Sequence, residues 1–164
     1  MIYIVMGVEG SGKTTIAKLL ADKLGGAFLD ADAFHSAANK QKMSAGIPLT
    51  DADRMPWLDS MHSELVKLNM KDETVVLACS ALREKYRDVL CAGLPVRYIY
   101  LKASFDLIQS RLKVRHGHFA GESILANQFE VLEEPKNAML VDVTPPPEQI
   151  VDGILARIQE AGSK

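Results

Sequence analysis

Gly7-Val8-Glu9-Gly10-Ser11-Gly12-Lys13-Thr14 follows directly on the apolar run Ile2-Tyr3-Ile4-Val5-Met6. This spacing constrains the fold more than any other feature, because it demands a strand that breaks into a tight loop and re-enters as a helix. Glycines let the backbone curl until consecutive N–H groups face inward, and the following helix adds its positive N-terminal end. Such a cradle suits the phosphates of a nucleoside triphosphate, with ATP the expected ligand. Lys13 is placed to reach the β- and γ-phosphates and the Thr14 hydroxyl to ligate Mg2+. Gly7, Val8, Glu9, Gly10, Ser11, Gly12 and Thr15 complete the expected nucleotide contacts. A glycine-rich turn with a stray lysine explains the pattern poorly, since it requires neither the strand before nor the helix after. Glu9 is the odd member: a carboxylate here repels phosphate unless it faces solvent, which is the expectation.

The chain has 164 residues, enough for a real core, and is expected to be a single domain over 1–164. Lys and Arg number 19 against 21 Asp and Glu, which gives no electrostatic case for nucleic acid or an anionic membrane. A small-molecule partner is expected instead. The opening apolar run carries no basic leader and passes straight into the glycine loop, so it reads as a core strand rather than an export signal. Cys79 and Cys91 form no C-x-x-C pair and read as reduced thiols in a cytoplasmic protein.

Short apolar runs alternate with helix-period segments along the whole chain, the pattern of a parallel sheet covered by helices. Strands are expected at residues 2–6, 27–30, 74–79, 96–101 and 138–142. Helices are expected near 13–24, 52–70, 81–91, 104–114, 122–133 and 147–160. The fold class is therefore α/β, a three-layer parallel sheet of about five strands with helices on both faces. Right-handed crossovers place the loops after the strands along one edge, where such sheets bind ligands. Two polar stretches fit the alternation poorly, about 33–57 and about 111–121, and read as a substrate cap and a lid.

Strand 27–30 ends in Asp30-Ala31-Asp32, two acids that leave an extended chain on the same side. Beside a phosphate loop, Asp30 suits the metal and Asp32 the acceptor hydroxyl. The competing explanation is a helix cap plus a solvated acid.

From here the residues resemble the gluconate kinase family. Asp30-Ala31-Asp32-Ala33-Phe34-His35, Asn39, Lys42-Met43, Gly46-Ile47-Pro48-Leu49, Asp51 and Asp53-Arg54 carry the likeness, as does Pro56-Trp57-Leu58. Ser80-Ala81-Leu82-Arg83, Tyr86-Arg87-Asp88, Arg111-Leu112, Gly117-His118-Phe119, Gln128-Phe129 and Leu132-Glu133 continue it in order, so it spans about residues 4–135. The chain departs from the family at Glu9, where a serine is usual, at Ser36, where a proline is usual, and near Cys91, where a basic residue is common.

The resemblance implies a P-loop NTPase fold of the nucleoside- and shikimate-kinase kind. It also implies transfer of the ATP γ-phosphate to the 6-hydroxyl of D-gluconate, and a cytoplasmic homodimer. A sugar acid calls for cations and hydrogen-bonding groups. Asp32, His35, Asn39, Lys42, Arg54, Arg83, Arg87 and Gln128 are the substrate candidates. Arg87 has the alternative of pairing with an acid, and His35 and Trp57 that of packing. Arg111 and Arg115 are candidate lid arginines, a role worth ~10³ to 10⁵ in rate. Lys13, Asp32, Arg111 and Arg115 form the expected catalytic set, with Thr14 and Asp30 at the metal. Two rivals remain: another small-acceptor kinase, shikimate-like or acting on nucleoside monophosphates, and a non-catalytic ATP-binding regulatory module.

Overall fold

The computed structural model describes residues 1–116 and 122–163, apart from the side chains of residues 115, 116 and 122. Its elements run β1 (Ile2–Met6), α1 (Lys13–Leu24), β2 (Ala27–Asp30), α2 (Ala37–Ser44), α3 (Asp51–Met70), β3 (Val75–Ala78) and α4 (Glu84–Cys91). Then follow β4 (Val96–Lys102), α5 (Phe105–His116), α6 (Glu122–Val131), β5 (Ala138–Asp142) and α7 (Pro147–Gly162). The five strands are all parallel in the order β2-β3-β1-β4-β5.

β1 lies in the middle, and all five of its residues are buried, as a strand covered on both faces requires. Alternation along it divides the core. Ile2, Ile4 and Met6 join Val75 and Leu77 under Leu58, Met61 and Leu65 of α3 and Leu90 of α4. Tyr3, Val5 and Val76 face Ile16 and Leu20 of α1 and Ile150, Val151 and Ile154 of α7. Each of these aliphatic side chains contributes roughly 1.5–3 kcal/mol by leaving water. A smaller cluster, Val8, Leu82, Ile108, Leu112 and Leu125, lies under the glycine loop.

The polar stretch 33–57 contains more regular structure than its composition suggests. A 3-10 turn over Ala31–Phe34 leads to α2, whose start is capped by Ser36 Oγ accepting from Asn39 N–H at 3.1 Å. α3 opens on a reciprocal cap: Thr50 Oγ1 accepts from Asp53 N–H at 3.1 Å, and the Asp53 carboxylate accepts from Thr50 N–H at 2.9 Å. The helix expected from residue 81 starts instead at Glu84. Ala81 has φ 44°, a left-handed conformation that no helix of L-residues propagates.

Candidate active site

The sheet register aligns the strand ends on which the candidate residues sit. Val5 pairs with Ala78, and Ala78 with Asp30, so the C-terminal ends of β1, β3 and β2 lie level. Asp30 is two strands from β1, roughly 10 Å at the usual spacing. The glycine loop closes that gap: Thr14 Oγ1 donates to Asp30 Oδ2 at 3.4 Å. Asp30 Oδ1 also accepts from Asp32 N–H at 3.0 Å, which caps the 3-10 turn. The capping and metal-side explanations of Asp30 are therefore compatible. Asp32 is exposed one residue into the turn, where its charge acts on both Lys13 and His35.

The loop is built around one carbonyl. Val8 O accepts from Ser11 N–H at 3.2 Å, Ser11 Oγ at 2.7 Å and Lys13 Nζ at 3.0 Å. Gly7 has φ 154°, and a Cβ there would stand 2.9 Å from Leu101 O, so the first loop position requires glycine. Gly12, with φ 97°, caps α1 in a left-handed conformation. Burial pushes the Lys13 pKa down from its ordinary value, against the opposing pull of Cys79, Asp32, Glu9 and Asp30. A cation partly stripped of water beside helix N-terminal N–H groups is suited to an incoming polyanion. Thr15 is exposed on the first turn of α1, and the Glu9 side chain is exposed as expected. Cys79 follows β3 directly, and burial pushes its thiol up to about 12, so this strand end adds no charge.

In the cap, His35 lies parallel to Trp57, and Trp57 Nε1 donates to Ala31 O at 2.7 Å. Asn39 is buried, with its Nδ2 3.0 Å from Asp53 O and 3.3 Å from His35 Nδ1. Asn39 thus orients His35. Lys42 pairs with both oxygens of Asp53 at 3.0 and 2.8 Å, and this bond above all holds the Asp53 carboxyl down at about 2. Asn39 and Lys42 therefore shape the cap from within.

The arginines divide. Arg54 donates to Leu49 O at 2.5 Å and Tyr86 OH at 3.4 Å, with its guanidinium over the Tyr86 ring. Tyr86 OH in turn donates to Asp51 at 2.7 Å, and Lys85 pairs with the same carboxylate. Sequence reasoning missed this clasp between the start of α3 and α4. Arg83 is half-buried at the start of α4 and, among the described residues, its side chain makes no hydrogen bond or salt bridge, although its charge acts on Asp51 and Tyr86. Arg87, a substrate candidate with the alternative of pairing with an acid, is 7% exposed and donates to two main-chain carbonyls, Ala81 O at 2.7 Å and Glu133 O at 2.9 Å. Its planar fork matches two carbonyls, and those bonds replace the solvation that burial removes.

Gln128, another substrate candidate, faces the loop instead: its Oε1 accepts from Glu9 N–H at 2.7 Å. Arg111 donates to Val143 O at 2.6 Å, just beyond β5. The expected lid contacts of the Arg115 side chain, and of Gly117, His118 and Phe119, lie outside the described residues.

The structure brings Lys13, Thr14, Asp30 and Asp32 together at one end of the sheet, with His35 within reach of the Asp32 charge, and known proteins share its frame. The shikimate kinase family model matches residues 9–159. The thermoresistant gluconokinase of Escherichia coli K12 is 42% identical over 164 residues, covering 97% of this chain and 94% of that enzyme. The Arabidopsis thaliana gluconokinase is 39% identical, covering 96% of this chain and 92% of that protein. A solved gluconokinase from Sinorhizobium meliloti 1021 superposes with a TM-score of 0.86 at 40% identity, covering 97% of this chain and 93% of the other. On identities of this size over nearly the full length of both partners, the chain belongs to the gluconokinase family, within the shikimate-kinase-like α/β P-loop kinases.

Proposed function

We propose that this protein is an ATP-dependent gluconokinase, transferring the γ-phosphate of ATP to the 6-hydroxyl of D-gluconate to give 6-phospho-D-gluconate and ADP. One observation carries the reading: Lys13 and Thr14 of the glycine loop meet Asp30 and Asp32 at the same sheet edge. A regulatory module that only senses ATP needs no acceptor acid there. The polar cap disfavours a nucleoside monophosphate, whose base calls for apolar walls. Relatives bearing the gluconokinase name favour gluconate over shikimate.

Thr14 Oγ1 and Asp30 Oδ2, 3.4 Å apart, are hard oxygen donors of the kind Mg2+ takes alongside water and phosphate. Among the described residues no group of three or more His, Cys, Asp or Glu side chains is arranged to hold a metal ion by itself. The donor set therefore fits a metal that arrives with the nucleotide and, when bound, neutralises charge on the β- and γ-phosphates. The chain's own groups do the rest. Loop N–H groups and Lys13 hold the transferring phosphoryl group, Asp32 orients the acceptor hydroxyl and takes its proton, and His35 and Arg83 bind the sugar acid. Phosphoryl transfer passes through a loose transition state, so positioning outweighs basicity. Arg111 lies on the nucleotide side, and Arg115 is assigned with it to the closing lid.

Among the described residues no helix is long and apolar enough to cross a membrane. Two free thiols, Cys79 and Cys91, support the cytoplasmic assignment. The homodimer rests on the family resemblance, and sedimentation tests it. The activity is tested by ADP release with Mg2+ and ATP over a panel of gluconate, other aldonates, shikimate and nucleoside monophosphates. Release with gluconate is expected; release with shikimate or a monophosphate alone would replace this reading.

A further inference from the structure

We infer that Arg87 is a positioning residue for the acceptor: from inside the protein it holds the 80–83 turn in the conformation that presents Arg83 to the substrate carboxylate. The inference rests on the gluconokinase reading and on five observations. Ala81 sits at φ 44°, where a residue with a Cβ is disfavoured, so the turn does not hold this shape by local preference. One arm of the Arg87 guanidinium grips the carbonyl of that same residue, Ala81 O, at 2.7 Å.

The other arm takes Glu133 O at 2.9 Å, and Glu133 N–H returns to Leu82 O at 2.8 Å. The turn is thereby tied through the carbonyls of both Ala81 and Leu82 to the chain leaving α6. The arginine is itself anchored, since Tyr98 OH of β4 donates to Arg87 O at 2.9 Å. Arg83 closes the turn as the residue before α4; its guanidinium makes no hydrogen bond or salt bridge among the described residues, and its charge acts on Asp51 and Tyr86. A planar fork suits two carbonyls at once, and a lysine ammonium does not reproduce it.

A glycine at position 81 would accept the backbone angle readily, but Ala81 is buried in the sheet core and its methyl packs there. The chain thus keeps a side chain that packs in a conformation that must be enforced. Arg87 does the enforcing. Direct contact between Arg87 and substrate is disfavoured by its burial and by the commitment of both arms.

The test is steady-state kinetics on Arg87→Met, Arg87→Lys, Arg83→Ala, Arg83→Ala/Arg87→Met and Arg87→Met/Ala81→Gly, with melting curves for each. Arg87→Met is expected to raise the gluconate KM about ten-fold or more while the ATP KM stays within about two-fold. Because Arg87 acts through Arg83, adding Arg87→Met to Arg83→Ala should leave the gluconate KM within about two-fold of the single variant. Adding Ala81→Gly to Arg87→Met should restore at least about three-fold, since glycine adopts the turn without help.

A lower Tm with both KM values unchanged, or both raised together, would overturn the inference, as would additivity with Arg83→Ala. If Arg87→Met fails to fold, Arg87→Lys carries the test, and a parental gluconate KM in that variant also overturns it. Parent protein that turns over no gluconate defeats the functional reading itself, a result separate from any behaviour of the Arg87 variants.

Discussion

The His35 imidazole lies flat on the Trp57 indole, ring centroids 4.3 Å apart and planes 9° from parallel. The indole is fixed by its own bond to Ala31 O, so the histidine inherits a set orientation from the turn that carries Asp32. Asp53 O can only accept, which identifies the Asn39 atom facing it as the NH2 group. That same nitrogen then donates to His35 Nδ1, and the proton of the neutral ring resides on Nε2. His35 therefore offers the cap a fixed donor.

Protonating His35 opposes folding. Burial lowers its pKa below the ordinary 6.5, with Arg54 and Lys40 adding to the effect and Asp32 opposing it. The unfolded chain then binds more protons than the folded one. The stability this contributes is present above pH 6.5 and is lost as pH falls through that value towards the folded pKa. His35→Gln should flatten the fall in Tm on the acid side of a scan across roughly pH 5 to 8. An unchanged slope would show that other groups dominate.

Asp32→Asn should lower kcat at least about 100-fold, the lower end of the range for general-base groups, while ATP affinity by calorimetry stays within about two-fold. Normal turnover in this variant would remove Asp32 from the mechanism.

Lys13→Ala should reduce kcat/KM for ATP by roughly 10²- to 10³-fold even at saturating gluconate, since it deletes a preorganised charge on the transferring phosphate. Unchanged ATP kinetics would contradict the assignment of the glycine loop.

Arg83→Ala should raise the gluconate KM by roughly ten- to 100-fold, as expected for a charge-assisted hydrogen bond to a carboxylate. Arg54→Ala should also raise the gluconate KM more than the ATP KM, but by less than Arg83→Ala, because Arg54 is already engaged by Leu49 O and Tyr86. A reversed ranking would move the carboxylate site to the cap.

Thr50→Ala removes the acceptor for Asp53 N–H at the start of α3 and should cost about 1 kcal/mol in urea unfolding. A loss of gluconate affinity without that destabilisation would make Thr50 a ligand contact instead.

The strands and the glycine loop were legible because their signals are local: an apolar run, then glycines at fixed spacing. α2 was not, because Ala37–Ser44 contains one large apolar residue, Met43, and so has no periodic face. Its one sequence mark is Ser36 placed to cap it. The fates of Lys42, Arg87 and Gln128 were hidden for a different reason. A cation or amide near a strand end reads as a ligand group until its partner is known. For Arg87 and Gln128 those partners are main-chain atoms of Ala81, Glu133 and Glu9, which carry no mark in the sequence. The approach of Asp30 to Thr14 was legible from the strand–helix alternation, since right-handed crossovers between parallel strands bring the loops that follow them to one edge.

The placement of β1 at the centre of the strand order has an evolutionary consequence. Asp30, Asp32, His35, Asn39 and Arg54 arrive in one unbroken stretch of chain hung from the β2 side, while the glycine loop and Arg111 belong to β1 and the β4–β5 side. A lineage that exchanges that stretch together with the turn bearing Arg83 can therefore acquire a new phosphate acceptor while the glycine loop passes down unaltered.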